Sequence, residues 1–302
     1  MNFDSQGEDL VAALMTVEVE RGLDEFIGSC RRELELFRLR LPQTEWQTFI
    51  HSESAQRLRH TFLDDAYVRR GFEKPRGYAG DAVLLDYIYE TCPIPDETSK
   101  RGLQIYRWMC RESKAFQAVR ARKALVASYI DDAILKNPSA RVLSVACGHL
   151  REFALCKFDR SFWNGELIAI DQDRASLTVV SNTYGESQVR TQRLAISSLL
   201  NRSAKLGKFD LIYSAGLLDY LDDDLVRSLS SWCGQSLETG GLLLLANFRE
   251  CEERGFMEAV MQWPLIYRTG GQLSALVDRA AGNTRTFQDN QGILAYSESI
   301  CH

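Results

Sequence analysis

The chain is poor in the features that would take it out of the ordinary globular class. Proline is scarce, with six among 302 residues, and glycine numbers 20. That excludes a disordered or fibrous chain dominated by these two residues. Positive charge is not in surplus. The net charge is −5, whereas a protein that grips phosphates shows a basic balance or stripe, so no nucleic-acid partner is expected. No apolar run approaches the ~20 residues needed to span a bilayer, and no membrane partner is expected. The eight cysteines form no CxxC pair and no zinc-ligand spacing, so no metal is expected and reduced thiols point to the cytoplasm. The first residues, MNFDSQGEDL, are acidic and polar, unlike a signal peptide. What remains is 45% apolar and 25% charged, at a length comfortable for two domains.

The two halves read differently. Residues 8–135 carry helical periodicity and little strand signal. Helical segments are expected over 7–41, ended by Pro42, over 45–65, over 81–90 with Asp81 as N-cap, and over 100–130. Residues 72–80 read as a structured loop and 92–96 as a turn. From about residue 140, short β-rich runs at 142–146, 167–170, 189–193, 211–214 and 242–246 alternate with helical stretches, the mark of βαβ crossovers and a parallel sheet. GLLLLANF (241–248) is apolar on both faces, as a central parallel strand should be. TRTFQ and ILAYSE, joined by DNQG, predict a closing antiparallel hairpin. The fold expected is therefore α/β. An all-helical N-terminal or cap domain (1–135) precedes a Rossmann-like domain with an antiparallel C-terminal hairpin (136–302).

The densest basic cluster is Arg120, Arg122 and Lys123, joined loosely by Arg107, Arg111 and Lys114. It reads as a solvated helical face. An anionic substrate or an acidic carrier protein is the alternative.

The chemistry begins at ARVLSVACGHLRE (140–152), an apolar strand ending in Ala146, Cys147 and Gly148 before an apparent helix. Small residues at such a turn let the backbone approach a ligand beyond the carboxyl ends of the strands. Only Gly148 survives of the usual three glycines. ELIAID then puts Asp171, followed by Gln172, about 20 residues further on, where an acid meets ribose hydroxyls. A helix N-cap is the other reading of Asp171. The incomplete glycine pattern, with bulky His149 and Leu150, discourages a dinucleotide, whose pyrophosphate needs the turn and helix close. S-adenosylmethionine (SAM) has no phosphate and suits the site better. In FDLIYSAGLLDYLDDD (209–224), Ser214, Ala215 and Gly216 leave room at the strand end. Asp219 and Tyr220 could face the reacting centre, or pack while Asp222 caps the next helix.

VLSVACGHLRE, LIAIDQD and FDLIYSAGLLDYL resemble motifs I, II and IV of class I SAM-dependent methyltransferases. EKPRGYAGDAVLLDYIYE (73–90), with YSAGLLDYL and WPLIYRT, is similar to the bacterial family named after the extracellular-factor 3-hydroxypalmitic acid methyl ester biosynthesis protein. The resemblance covers roughly residues 70–300. It implies SAM as cofactor, S-adenosylhomocysteine as product, and methylation of a hydroxy fatty acid carboxylate as the named case. The motif I acid is Ser144 in this chain, and two of that motif's glycines are Ala146 and Leu150. SAM contact in that loop must then be made differently.

KPRGYAGD (74–81) has the composition of a site outside the Rossmann-like half. Arg76 offers a fork for a carboxylate, either the methionine end of the cofactor or a substrate acid. Tyr78 would line the transfer site, and Asp81 is acidic at a helix start. Alternatively Arg76 pairs with Asp81 in a purely structural turn. His149 could act as a base. The resemblance implies that Tyr267 and Arg268 reach the substrate side.

The expected activity is SAM-dependent methylation of a small molecule in a biosynthetic pathway of secondary metabolism. A methyltransferase fold repurposed for intramolecular ring closure, with the substrate free or held by a carrier or partner protein, is the second reading. A non-catalytic SAM-binding or regulatory protein is the third.

Overall fold

The structure, a computed structural model, describes residues 3–185, 188–201, 206–277 and 283–302. It divides into two units, but not at 135/136. One comprises Met1–Gln117 with Cys251–Pro264, the other Ala118–Glu250 with Leu265–His302. The boundary falls inside a helix because nothing in residues 114–136 breaks it.

The helical unit holds α1 (Phe3–Arg21), α2 (Leu23–Arg40), α3 (Gln43–Ile50), α4 (Glu53–His60), α5 (Ala66–Glu73), α6 (Ala82–Ile88) and α7 (Lys100–Glu112), with the start of α8 (Lys114–Lys136). The segment expected to run unbroken over 7–41 is interrupted at Gly22, whose φ of 88° is left-handed and suited to glycine. The segment expected over 45–65 breaks at Ser52, whose hydroxyl accepts from Ala55 N to start α4. The one over 100–130 breaks at Ser113, whose hydroxyl accepts from Phe116 N and donates to Glu253. A one- or two-residue break barely disturbs the apolar spacing, so periodicity alone does not reveal it.

Residues 251–264 return to this unit as α12 (Arg254–Val260). Gly255 lies against α2 so closely that a Cβ there would stand 2.6 Å from the backbone of Leu34 and Glu35. Glu35 accepts from Gly255 N, and Arg59 donates to the Ala259 carbonyl at the far end of the helix. Phe62 stacks on Phe26 and meets Phe256 edge-on, which ties α12 to the unit's core.

The second unit is built on β1 (Arg141–Val145), β2 (Glu166–Asp171), β3 (Val189–Arg193), β4 (Phe209–Ser214), β5 (Leu237–Phe248), β6 (Asn283–Gln288) and β7 (Leu294–Ile300). Their order among the described residues is β3-β2-β1-β4-β5-β7-β6. The first five are parallel, and β7 runs antiparallel to both β5 and β6. This is the Rossmann-like class I methyltransferase sheet with its antiparallel C-terminal hairpin. Helices α9 (Arg174–Tyr184), α10 (Ile196–Leu200), α11 (Asp223–Gln235) and α13 (Gly270–Leu276) belong to this unit. Leu143, Ile168, Ile212 and Leu243 from four adjacent strands share one core with Leu229 and Trp232 of α11.

The helix expected after β1 is only a 3-10 turn, Arg151–Leu155. Leu150 enters it in the left-handed region, and Lys157 N and Phe158 N turn away to the Asp131 carboxylate on α8. Strand order reverses between β1 and β4, so the crevice of a doubly wound sheet opens beyond their carboxyl ends.

Candidate functional site

Among the described residues of this unit, the turn after β1 alone holds non-glycine residues in the left-handed region. Ala146, Gly148 and Leu150 have φ of 57°, 53° and 51°. Left-handed geometry costs a non-glycine residue ~1–2 kcal/mol. The motif positions that have lost their glycines thus keep the glycine conformation. Strain of this kind persists only where the surroundings enforce it. Cys147 N donates to the Ile170 carbonyl at 2.9 Å and Leu150 N to the Cys147 carbonyl at 2.9 Å. Burial, then the charges of Asp171 and Glu152, push the Cys147 thiol well up, so this cysteine is no nucleophile. His149 is buried in the same turn.

Asp171 closes the turn from the neighbouring strand. One carboxylate oxygen accepts from Gly148 N at 2.9 Å and the other from Asp173 N at 2.9 Å. Burial raises its pKa, and those backbone donors partly offset the rise. An ionised carboxylate offers about four acceptor directions, so both oxygens can still take ribose hydroxyls. The helix-capping role falls to Asp173, which accepts from Ala175 N. Gln172 is exposed and uses its carbonyl to receive Arg193 Nε at 3.1 Å.

At the end of β4 the expected residues separate. Ser214 is buried and donates its hydroxyl to the Val145 carbonyl at 3.0 Å, a cross-strand tie. Ala215 and Gly216 stay accessible. A Cβ on Gly216 would stand 3.6 Å from Arg122 Nη2. Arg122 is 3% exposed, which corrects the solvated-face reading at that position, while Arg107, Arg111 and Lys114 of the same cluster are exposed as expected. The signal was in the spacing, because Arg122 falls in step with the buried Ala118, Val119, Val126 and Ile130 of α8.

Asp219 is 3% exposed, and its carboxylate accepts from Phe248 N at 2.6 Å while its carbonyl accepts from Ile266 N at 2.8 Å. Burial lifts its pKa from 3.8 to about 6, against the lowering effects of Phe248 N, Arg122 and Arg268. Tyr220 is 39% exposed on the following 3-10 turn, and Asp222 caps α11 by accepting from Leu225 N. Arg268 is spent on structure. Its guanidinium donates to the Leu218 and Leu221 carbonyls, to Asn247 Oδ1 and to Asp223 Oδ1. The expectation that it reaches substrate is not met by this geometry. Tyr267, beside it, is half-buried.

Two further residues complete the crevice. Tyr213 pairs with Ser144 in the β1–β4 register and donates its hydroxyl to Glu152 Oε1 at 2.7 Å. Burial and the Glu152 charge push the Tyr213 phenol well up, so it stays a donor. Burial also raises Glu152, while the Tyr213 bond and the charges of Arg122 and Lys123 hold it down.

Within the helical unit, Asp81 accepts from Leu84 N as N-cap of α6 and receives Arg70 through Nε at 2.8 Å and Nη2 at 2.7 Å. It pairs with Arg70 through both oxygens, which makes it a poor base. Arg76 and Tyr78 are half-buried, and Gly77 between them is left-handed at φ 85°. Among the described residues no His, Cys, Asp or Glu group could hold a metal, the cysteines are free thiols, and no helix is long and apolar enough to cross a membrane.

No protein-family model and no curated protein matches the sequence. Solved structures do match the fold. A possible exported protein from Bordetella parapertussis is 17% identical, with a TM-score of 0.58 over 83% of this chain and 99% of that one. Less similar are magnesium protoporphyrin IX methyltransferase from Synechocystis PCC 6803 with bound S-adenosylhomocysteine and N-methyltransferase NodS from Bradyrhizobium japonicum in complex with the same compound. The first is 10% identical, with a TM-score of 0.47 over 72% of this chain and all (100%) of that one. The second is 16% identical, with a TM-score of 0.43 over 64% and 91%. The likeness extends to the fold, which the strand order of this chain establishes independently.

Proposed function

We propose that the chain is a SAM-dependent methyltransferase acting on a small molecule. The observation that carries this reading is the β1 turn, which keeps left-handed backbone at Ala146, Gly148 and Leu150 and is locked to Asp171 through Gly148 N. The same geometry disfavours a dinucleotide. Gly148 N is already given to Asp171, and the 3-10 turn that follows offers no α-helical N-terminus to a pyrophosphate.

The residues fit the cofactor. Asp171 would take the ribose hydroxyls, the 146–150 backbone would lie along the ligand, and Ala215 and Gly216 leave space beside Arg122, whose guanidinium suits a carboxylate. When bound, the cofactor's sulfonium supplies an electrophilic methyl group. The chain's own work is to align the acceptor and keep water out. Among the bases considered from sequence, Asp81 is tied to Arg70 and Tyr220 is exposed, leaving His149. An amine or hydroxyl acceptor would call on His149, whereas the carboxylate acceptor that the resemblance of residues 70–300 implies arrives as an anion and needs no base.

The test is incubation with methyl-labelled SAM and a panel of hydroxy acids, following label and S-adenosylhomocysteine together. Stoichiometric appearance of both supports methylation. A SAM complex that persists with neither label transfer nor S-adenosylhomocysteine would favour the ring-closing reading.

A further inference from the structure

Ser144 stands where the class I motif carries an acid, and it is too short and too deeply buried to replace one. The acid re-enters from the other side of the turn. Glu152 lies just past the strained loop, and its Oε1 is held at 2.7 Å by the hydroxyl of Tyr213, the residue registered with Ser144 across β1 and β4. Through Tyr213 it is tied to β4 where that strand lies beside β1, so it stands at the same β1–β4 opening. Arg122, beside Gly216 at the end of β4, acts electrostatically on Glu152. An anion and a cation therefore flank the β1–β4 opening, as the two ends of a zwitterionic amino acid require.

We propose that Glu152 recognises the ammonium group of the cofactor's amino-acid tail, in place of the acid lost at Ser144; this rests on the SAM reading above. Tyr213 is the positioning residue, because its bond fixes one carboxylate oxygen and leaves further acceptor directions for the ammonium. A charge-assisted hydrogen bond to an ammonium is among the stronger single contacts a site can make. Its removal should therefore be visible in affinity without abolishing the adenosine contacts.

The experiment is calorimetry with two probes, S-adenosylhomocysteine, which carries the amino-acid tail, and 5′-methylthioadenosine, which lacks it. Glu152→Gln, which keeps an oxygen for Tyr213, should weaken S-adenosylhomocysteine about tenfold or more and leave 5′-methylthioadenosine within about twofold. Glu152→Asp, with a shorter reach, should lose part of the first affinity and none of the second, and it serves if the glutamine variant does not fold. An equal loss for both probes would mean that Glu152 only supports the turn, and no loss for either would remove it from the site. Both results overturn the proposal while leaving the cofactor reading intact. Failure of the unaltered protein to bind either probe would instead overturn the cofactor reading and this inference with it.

Discussion

Asp219 offers a direct test of the electrostatics at the crevice. Burial holds its carboxyl at about 6 rather than 3.8. A raised carboxyl pKa means the folded state keeps the proton longer than the unfolded one. Stability is then highest below the unfolded value and falls as pH rises through the window from about 4 to about 6. The gap corresponds to about 3 kcal/mol as an upper figure. Asp219→Asn keeps an oxygen for Phe248 N and removes the ionisation. In urea titrations from pH 4 to 8 at fixed ionic strength, the stability of the variant minus that of the parent should rise by about 2–3 kcal/mol across that window and level off above it. Other carboxyls cancel in the difference. A flat difference would refute the claim that this carboxyl is buried against its own charge.

Substitutions at two other positions separate backbone from site. Ala146→Gly relieves left-handed strain at the cost of chain entropy, so stability should stay level or rise by up to about 1 kcal/mol, while Ala146→Val should lose about 1–2 kcal/mol. Equal urea midpoints for the two would contradict the φ of 57°. Arg268→Ala leaves two carbonyls, Asn247 and Asp223 without their guanidinium partner, and should cost roughly 3 kcal/mol or more by thermal or urea unfolding. A fully stable but inactive variant would return Arg268 to the substrate side.

Much of the sheet was legible because its strands are short apolar runs bounded by turn residues. The run at 189–193 coincides with β3, and the other parallel strands overlap their expected ranges. DNQG marked the hairpin correctly because Asp289 accepts from Ile293 N and Leu294 N to close it. The helical half was harder. Gly22, Ser52 and Ser113 interrupt helices without disturbing apolar spacing, and the return of 251–264 to the helical unit leaves no local signal. At the site, Asp171 and Gly148 could be found by spacing because their bond is dictated by strand and turn. Arg122 and Glu152 could not be found from charge, since charged residues are ordinarily solvated. For Arg122 only its step with the apolar positions of α8 shows the burial, and the half-buried Glu152 depends on the partner that β4 brings beside it. Arg268 read as a substrate residue because resemblance identifies a motif, not the four acceptors that a buried guanidinium satisfies.

The central claim is a SAM site built on the β1 turn and Asp171. Calorimetric titration of the protein with SAM and S-adenosylhomocysteine, beside Asp171→Ala, tests it most directly. Micromolar binding weakened about tenfold or more by the substitution is the predicted result, since a charged hydrogen-bond acceptor is lost from a buried site. Absence of binding to either compound, or binding indifferent to Asp171, would contradict it.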